Sequence, residues 1–172
     1  MKRYLEYDGL KVLAHRGGVD ESYENTLESF SYSQSLGCEF IETDVQVSSD
    51  GIPYIFHDDD LKRILNKSIR FDSLSSNEID KLNIFNTHKI PKLSEALLTF
   101  PNLCFQIDFK TDEVVMPALD VIKSMNAFDR VCIASFNSKR LQNVRSLYPD
   151  LCISMGPNEV FKTLLASLNL FK

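Results

Sequence analysis

The sequence predicts an α/β fold built on a parallel sheet, and three observations carry that expectation. Five strand-like apolar runs alternate strictly with segments of helical spacing, the pattern of a parallel sheet covered by helices. Side chains able to do chemistry gather at the C-terminal ends of those runs, the edge where parallel-sheet proteins place their sites. The first run ends in "HRGG", which lacks the spaced glycines of a dinucleotide-binding phosphate loop. Two architectures fit the alternation, an open doubly wound sheet or part of an eight-stranded barrel, and the third observation weighs against the open sheet.

The elements follow in order. "LKVLAHRGG" reads as a short buried strand stopped by two glycines. "ENTLESFSYSQSLG" reads as a helix with Leu27, Phe30 and Leu36 near helical spacing, Asn25 or Thr26 as cap, Glu28 in support and Gly37 as the stop. "CEFIETDVQV" is a strand, "SSDG" a turn and "IPYIFHD" a returning extended segment, together a hairpin excursion. Residues 59–92 are less regular, with a short capped helix in "SSNEIDKLN" and another helix in "SEALLTF". The alternation then resumes: strand "NLCFQIDFK", helix "DEVVMPALDVIKSMNAF", strand "RVCIASF", helix "SKRLQNVRSLY", strand "LCISMG" and helix "NEVFKTLLASLNLF". Pro117 either marks the first turn of a shorter helix or kinks a longer one.

Composition sets outer limits. Of 172 residues, 44% are hydrophobic and 25% charged, enough apolar material for the core of a single domain over residues 1–172. The net charge of −5 comes with no basic block, so a nucleic-acid partner is not expected. No window approaches the roughly 18 apolar residues of a membrane span, and the charged N-terminal residues do not read as a secretory signal. Cys104, Cys132 and Cys152 lie inside apolar runs and Cys38 stands apart, with no CxxC pair. They read as buried small hydrophobes in a reducing, cytoplasmic compartment.

The chemistry is in the strand ends. Residues two apart on a strand share a face, so Glu42 points with Asp44, and Asp108 with Lys110. His15 and Arg16 close the first strand, and His57 ends the hairpin. Like charges roughly 4 Å apart repel by about 4 kcal/mol at an effective dielectric near 20. Three acids at one rim therefore call for a counter-charge, and carboxylate oxygens suit Mg²⁺ or Ca²⁺. A salt-bridge cluster with Arg16 and Lys110 is the plainer reading for any one acid. The coincidence of all of them beside two histidines favours the metal, with His15 and His57 as general acid and base and Arg16 and Lys110 as fixed positive charge for a phosphate. His88, in the irregular region, reads as structural or exposed.

Taken together, "HRGGVDESYENTLESF", "ETDVQVSSDGIPYIFHDDDL", "KIPKLSEAL", "FQIDFK" and "VCIASFN" resemble the ordered motifs of the glycerophosphodiester phosphodiesterase family over roughly residues 12–157. The resemblance implies a TIM (β/α)₈-type barrel that hydrolyses glycerophosphodiesters to an alcohol and glycerol 3-phosphate with a divalent metal, Mg²⁺ or Ca²⁺. By motif position Glu42, Asp44 and Asp108 correspond to metal ligands, His15 and His57 to the acid–base pair, and Arg16 and Lys110 to phosphate contacts. Residues 46–92 correspond to the family's insertion after the second strand. Two residues depart from the family pattern: Tyr23-Glu24 stands where a proline usually precedes "ENT", and Asp108 replaces the more usual glutamate. A complete barrel takes about 250 residues. The five units here imply a barrel lacking its last strands, with open edges through which copies of the chain would associate. A non-catalytic remnant and a related barrel phosphodiesterase, such as a phospholipase D-like toxin or phosphoinositide-cleaving enzyme, are the alternative readings. The hairpin after Asp44 favours the glycerophosphodiester type over the latter.

Overall fold

The computed structural model describes residues 3–6, 9–18 and 23–168. Parts of two predicted segments, residues 19–22 of the first motif and residues 169–171 of the last helix, lie outside them. In chain order the elements are β1 (Leu13–His15), α1 (Leu27–Ser35), β2 (Phe40–Val47), β3 (Pro53–Ile55), α2 (Lys62–Leu65), α3 (Ser76–Ile79) and α4 (Leu93–Thr99). They continue with β4 (Cys104–Phe109), α5 (Val115–Ser124), β5 (Val131–Ala134), α6 (Ser138–Leu147), β6 (Cys152–Ile153) and α7 (Pro157–Ser167).

The parallel strands are hydrogen-bonded in the order β1-β2-β4-β5-β6, and β3 turns back antiparallel on the end of β2. Strand order thus follows chain order with no reversal. A doubly wound sheet needs a reversal at its switch point, so the winding is that of a (β/α)₈-type barrel. Among the described strands the sheet is an open path from β1 to β6.

The two faces of the strands divide the labour. On β2 and β4, Ile41, Val45, Phe105, Ile107 and Phe109 face outward and join Phe30, Leu93, Leu119 and Leu141 from the covering helices in the main core. Burying each of these side chains contributes roughly 2 kcal/mol. The alternate residues face inward. At the N-terminal end they form a floor of Phe40, Cys104, Cys132 and Cys152 closed by Tyr4. The cysteines are thiols, the last three buried as expected. At the C-terminal end the inward positions are Glu42, Asp44, Gln106 and Asp108, on the rim of a cavity. That position explains acids on an otherwise buried strand.

Two local expectations need correction. Leu36 is 68% exposed, because α1 ends at Ser35 and presents Ser29, Phe30 and Ser33 to the interior instead. The partner of the Thr26 cap is Ser29, not Glu28: Thr26 Oγ1 accepts from the Ser29 backbone N–H, and Ser29 Oγ accepts in return from that of Thr26. Pro117 falls in the first turn of α5, where no intrahelical donor is required. Between β2 and α4 the chain builds a second core, in which Tyr54, Phe56, Leu61, Phe71, Ile79, Ile84 and Ile90 are buried together. Its helix α3 is capped by Ser75, whose backbone N–H and hydroxyl both donate to Glu78.

Candidate active site

The site is set by strand register. Asp44 on β2 pairs with Asp108 on β4, Glu42 pairs with Gln106, and His15 on β1 pairs with Glu42. Neighbouring strands lie about 4.8 Å apart, so the backbone itself brings the Asp44 and Asp108 carboxylates together. Lys110, two residues beyond Asp108 on the same face, places its ammonium between them. Its Nζ lies 2.7 Å from Asp44 Oδ1 and 2.6 Å from Asp108 Oδ2.

Arg16 reaches the same acids from the turn after β1. Its backbone is left-handed (φ 52°), which points its N–H at Glu42 Oε2, 3.2 Å away, and its Nε toward Asp44 Oδ2 at 3.4 Å. Its Nη1 donates to both Glu24 oxygens at 3.2–3.3 Å. Gly17 continues the turn at φ 82°, and a Cβ there would stand 2.3 Å from Ser29 Oγ and 2.5 Å from a Phe30 ring carbon, so only glycine fits. Asn25, also left-handed, donates from Nδ2 to Asp44 Oδ2 at 2.9 Å and accepts from the Thr43 hydroxyl at 2.8 Å. Asp44 is thus gripped by Lys110, Arg16 and Asn25.

The histidines flank this group differently. His15 is exposed, with Nε2 3.9 Å from Glu42 Oε2. His57 is held, its Nδ1 2.6 Å from Asp58 Oδ1. Both line the cavity, of about 870 Å³, together with Arg16, Lys110 and the three acids. The opposite wall is apolar, made by Phe136, Met155, Val160, Phe161 and Leu164. His88 is away from the cavity. It pairs with Glu28 at 3.3 Å and lies against the Tyr23 ring, consistent with a structural role.

Charge is unevenly balanced across the rim. Burial, with the Asp44 and Asp108 charges adding to it, pushes the Glu42 carboxyl up to about 7, against the pull of the Arg16 N–H and Lys110. Burial would lower Lys110, but its bonds to Asp108 and Asp44 outweigh that and raise it. Burial would raise Glu24 and Asp58. Arg63 overcomes it at both, with help from Arg16 and His57 respectively, and holds both carboxyls below their usual range.

Among the described residues no three His, Cys, Asp or Glu side chains converge to hold an ion as they stand. The ammonium of Lys110 takes the position between Asp44 and Asp108. Yet Asp108 Oδ1 is buried with no hydrogen-bond partner, and Glu42 is destabilised as an anion by burial and by its acidic neighbours. Oxygen-only donors with surplus negative charge and an orphaned oxygen fit a hard divalent cation.

All seven sequence-predicted residues meet at this cavity. The sequence reading did not single out Asp58, Arg63 or Gln106. Gln106 had a signal, lying two residues before Asp108 on the same strand face, and Asp58 directly follows His57. Arg63 had none, since its partners are brought to it only by the fold.

The family model for the glycerophosphoryl diester phosphodiesterase family matches residues 15–156. The chain is 30% identical over 165 residues to "Probable glycerophosphodiester phosphodiesterase 2" of Mycobacterium tuberculosis, covering 95% of this chain and 62% of that protein. It is 32% identical over 158 residues to a glycerophosphodiester phosphodiesterase of Caldanaerobacter subterraneus, covering 84% and 65%. The chain therefore spans less than two thirds of the length of these relatives. Among solved structures, a phosphodiesterase of Oleispira antarctica in complex with the product sn-glycerol-3-phosphate aligns with TM-score 0.80 and 26% identity over 93% of this chain and 72% of its own. The glycerophosphoryl diester phosphodiesterase domain of a Mycobacterium tuberculosis protein aligns in fold with TM-score 0.83 at 20% identity, over 95% and 66%. The winding of the sheet, the rim of acids and the matched motifs lead to one statement: the chain belongs to the glycerophosphoryl diester phosphodiesterase family.

Proposed function

We propose that this protein hydrolyses glycerophosphodiesters to an alcohol and glycerol 3-phosphate, in a reaction that requires a divalent cation. The observation that carries the reading is the convergence of His15, His57, Arg16, Lys110, Glu42, Asp44 and Asp108 on one cavity. Family membership and the product-bound relative support the substrate class. The buried thiols Cys104, Cys132 and Cys152 support a cytoplasmic setting, and no described helix is long and apolar enough to cross a membrane.

In this reading Arg16 and Lys110 bind the phosphodiester, each pre-set by carboxylates so that little is spent on ordering them. His57, anchored through Nδ1 on Asp58, offers Nε2 to take the proton of the attacking hydroxyl, as histidines so oriented do in other hydrolases. The glycerol 2-hydroxyl oxygen forms a bond to phosphorus, the bond to the alcohol oxygen breaks, and His15 gives that oxygen its proton. Water, giving a proton back to His15, then adds to the cyclic phosphate, the bond to the 2-oxygen breaks, and that oxygen takes the proton held by His57, which releases glycerol 3-phosphate. Glu42, Asp44 and Asp108 would hold a divalent cation, which would supply further stabilisation of the negative charge on the phosphoryl oxygens. The apolar wall limits water on the far side of the cavity.

The test is release of glycerol 3-phosphate from a panel of glycerophosphodiesters, with and without EDTA. Turnover is expected to vanish with the chelator, to return with Mg²⁺ or Ca²⁺, and to fall by about 10²–10⁴ in His15→Ala and in His57→Ala. Hydrolysis indifferent to both chelator and substitution would refute the assignment.

A further inference from the structure

We propose that Arg63, in the segment between β2 and β4, is a positioning residue that holds the phosphate-binding and proton-transfer arms of the site in register with each other. Its guanidinium is a fork with two carboxylates in it. Nε donates to Asp58 Oδ2 at 2.7 Å and Nη2 to Asp58 Oδ1 at 3.2 Å. Nη1 donates to Glu24 Oε2 at 3.1 Å and Nη2 also to Glu24 Oε1.

Each of those carboxylates has a second duty. Glu24 also receives Arg16, which faces the acids of the rim, and Asp58 also holds His57 Nδ1 at 2.6 Å. One side chain therefore orients both a cation that would meet the phosphate and a histidine that would move the proton. The two carboxylates come from places 34 residues apart in the chain, one after β1 and one after β3.

An exposed ion pair is worth little, commonly under about 1 kcal/mol. This one differs in two respects. The carboxylates are largely buried, with side-chain exposures of 9% for Glu24 and 17% for Asp58, and the contact to each is bidentate. Arg63 is itself fixed from below, because the flanking Leu61 is buried in the second core and Ile64 and Leu65 pack against it. Arg63 thus ties the second core to both arms of the site.

The inference rests on the proposed function only for its kinetic consequence, and the experiment separates the two. Two-dimensional ¹H–¹⁵N NMR of the histidine rings at pH 8 reports the tautomer of His57 directly, without turnover. The wild type is expected to show one tautomer, protonated on Nδ1. Arg63→Gln should show a mixture, because Asp58 is released to other rotamers, and Asp58→Asn should show the same mixture. The double variant should be no worse than Asp58→Asn, as required if Arg63 acts through Asp58. Arg63→Lys, which keeps the charge but reaches one carboxylate at a time, should fall between and covers the case in which the glutamine variant does not fold. In turnover, Arg63→Gln should lower kcat by about 10–100-fold. A single Nδ1-protonated His57 in Arg63→Gln, or in Arg63→Lys should the former not fold, would overturn the inference. A wild type that releases no glycerol 3-phosphate would sink the functional reading and leave the tautomer result to decide the role of Arg63.

Discussion

The two walls of the cavity are built on opposite terms. The wall from β1, β2 and β4 is charged, largely buried and held by partners within the chain: Asp44 by Lys110, Arg16 and Asn25, and Arg16 in turn by Glu24 behind it. The wall from the ends of β5 and β6 and from α7 is apolar and exposed, with Phe136 at 86% and Phe161 at 61%, and α7 has no buried residue. Preorganised charge needs a rigid frame, because the attraction between groups depends on their staying close in a low dielectric. A surface that only excludes water does not. Stability in this molecule should therefore be concentrated where the chemistry is.

That contrast can be broken most forcefully at Lys110. Lys110→Met removes the charge between two carboxylates that the sheet register holds side by side, and breaking such a buried group should cost about 3–5 kcal/mol. Thermal melts should show the loss, and Mg²⁺ or Ca²⁺ should raise the melting temperature of the variant more than that of the wild type. Equal shifts in both would separate the acids from any cation. A smaller effect is expected in acid. The folded-state values of Glu24 and Asp58 are depressed, so their stabilising contribution is present above roughly pH 4 and is lost as pH falls through the depressed folded values. Melting temperature should drop over that window in the wild type, and less steeply in Arg63→Gln, where the depression is relieved. The least effect belongs to the apolar wall. Phe136→Ala should change stability by no more than about 0.5 kcal/mol by denaturant titration, since the ring is already in solvent. A loss of 2 kcal/mol there would erase the distinction between the walls.

Most of the fold, and the seven residues that meet at the cavity, could be read in the sequence because both follow local rules. Period-two alternation on "FIETDVQV" and "CFQIDF" separates core from rim without tertiary knowledge, and strict alternation of strand and helix gives a parallel sheet, whereas its barrel winding shows only in the strand order. What escaped depends on distance or on a choice between equals. Thr26, one of the two expected caps, is the cap, but Ser29 and Glu28 can both answer it, and it is Ser29 that does. Leu36 matched helical spacing, but the helix stops before it. Arg63 lies 39 residues from Glu24 on a short helix whose placement is decided by the second core. The ammonium between Asp44 and Asp108 was foreshadowed by "DFK", yet its bridging both acids required the β2–β4 register.

The period-two pattern of β2 has an evolutionary corollary. A single-residue insertion or deletion within residues 40–47 would exchange its faces, sending Glu42 and Asp44 toward the helices and Ile41 and Val45 toward water. The segment between β2 and α4 obeys no such rule. Lengthening a surface loop there costs only about 0.6 kcal/mol per doubling of its length. Variation in chain length among descendants of this sequence should therefore accumulate in that segment, while the strand that carries the acids keeps its length.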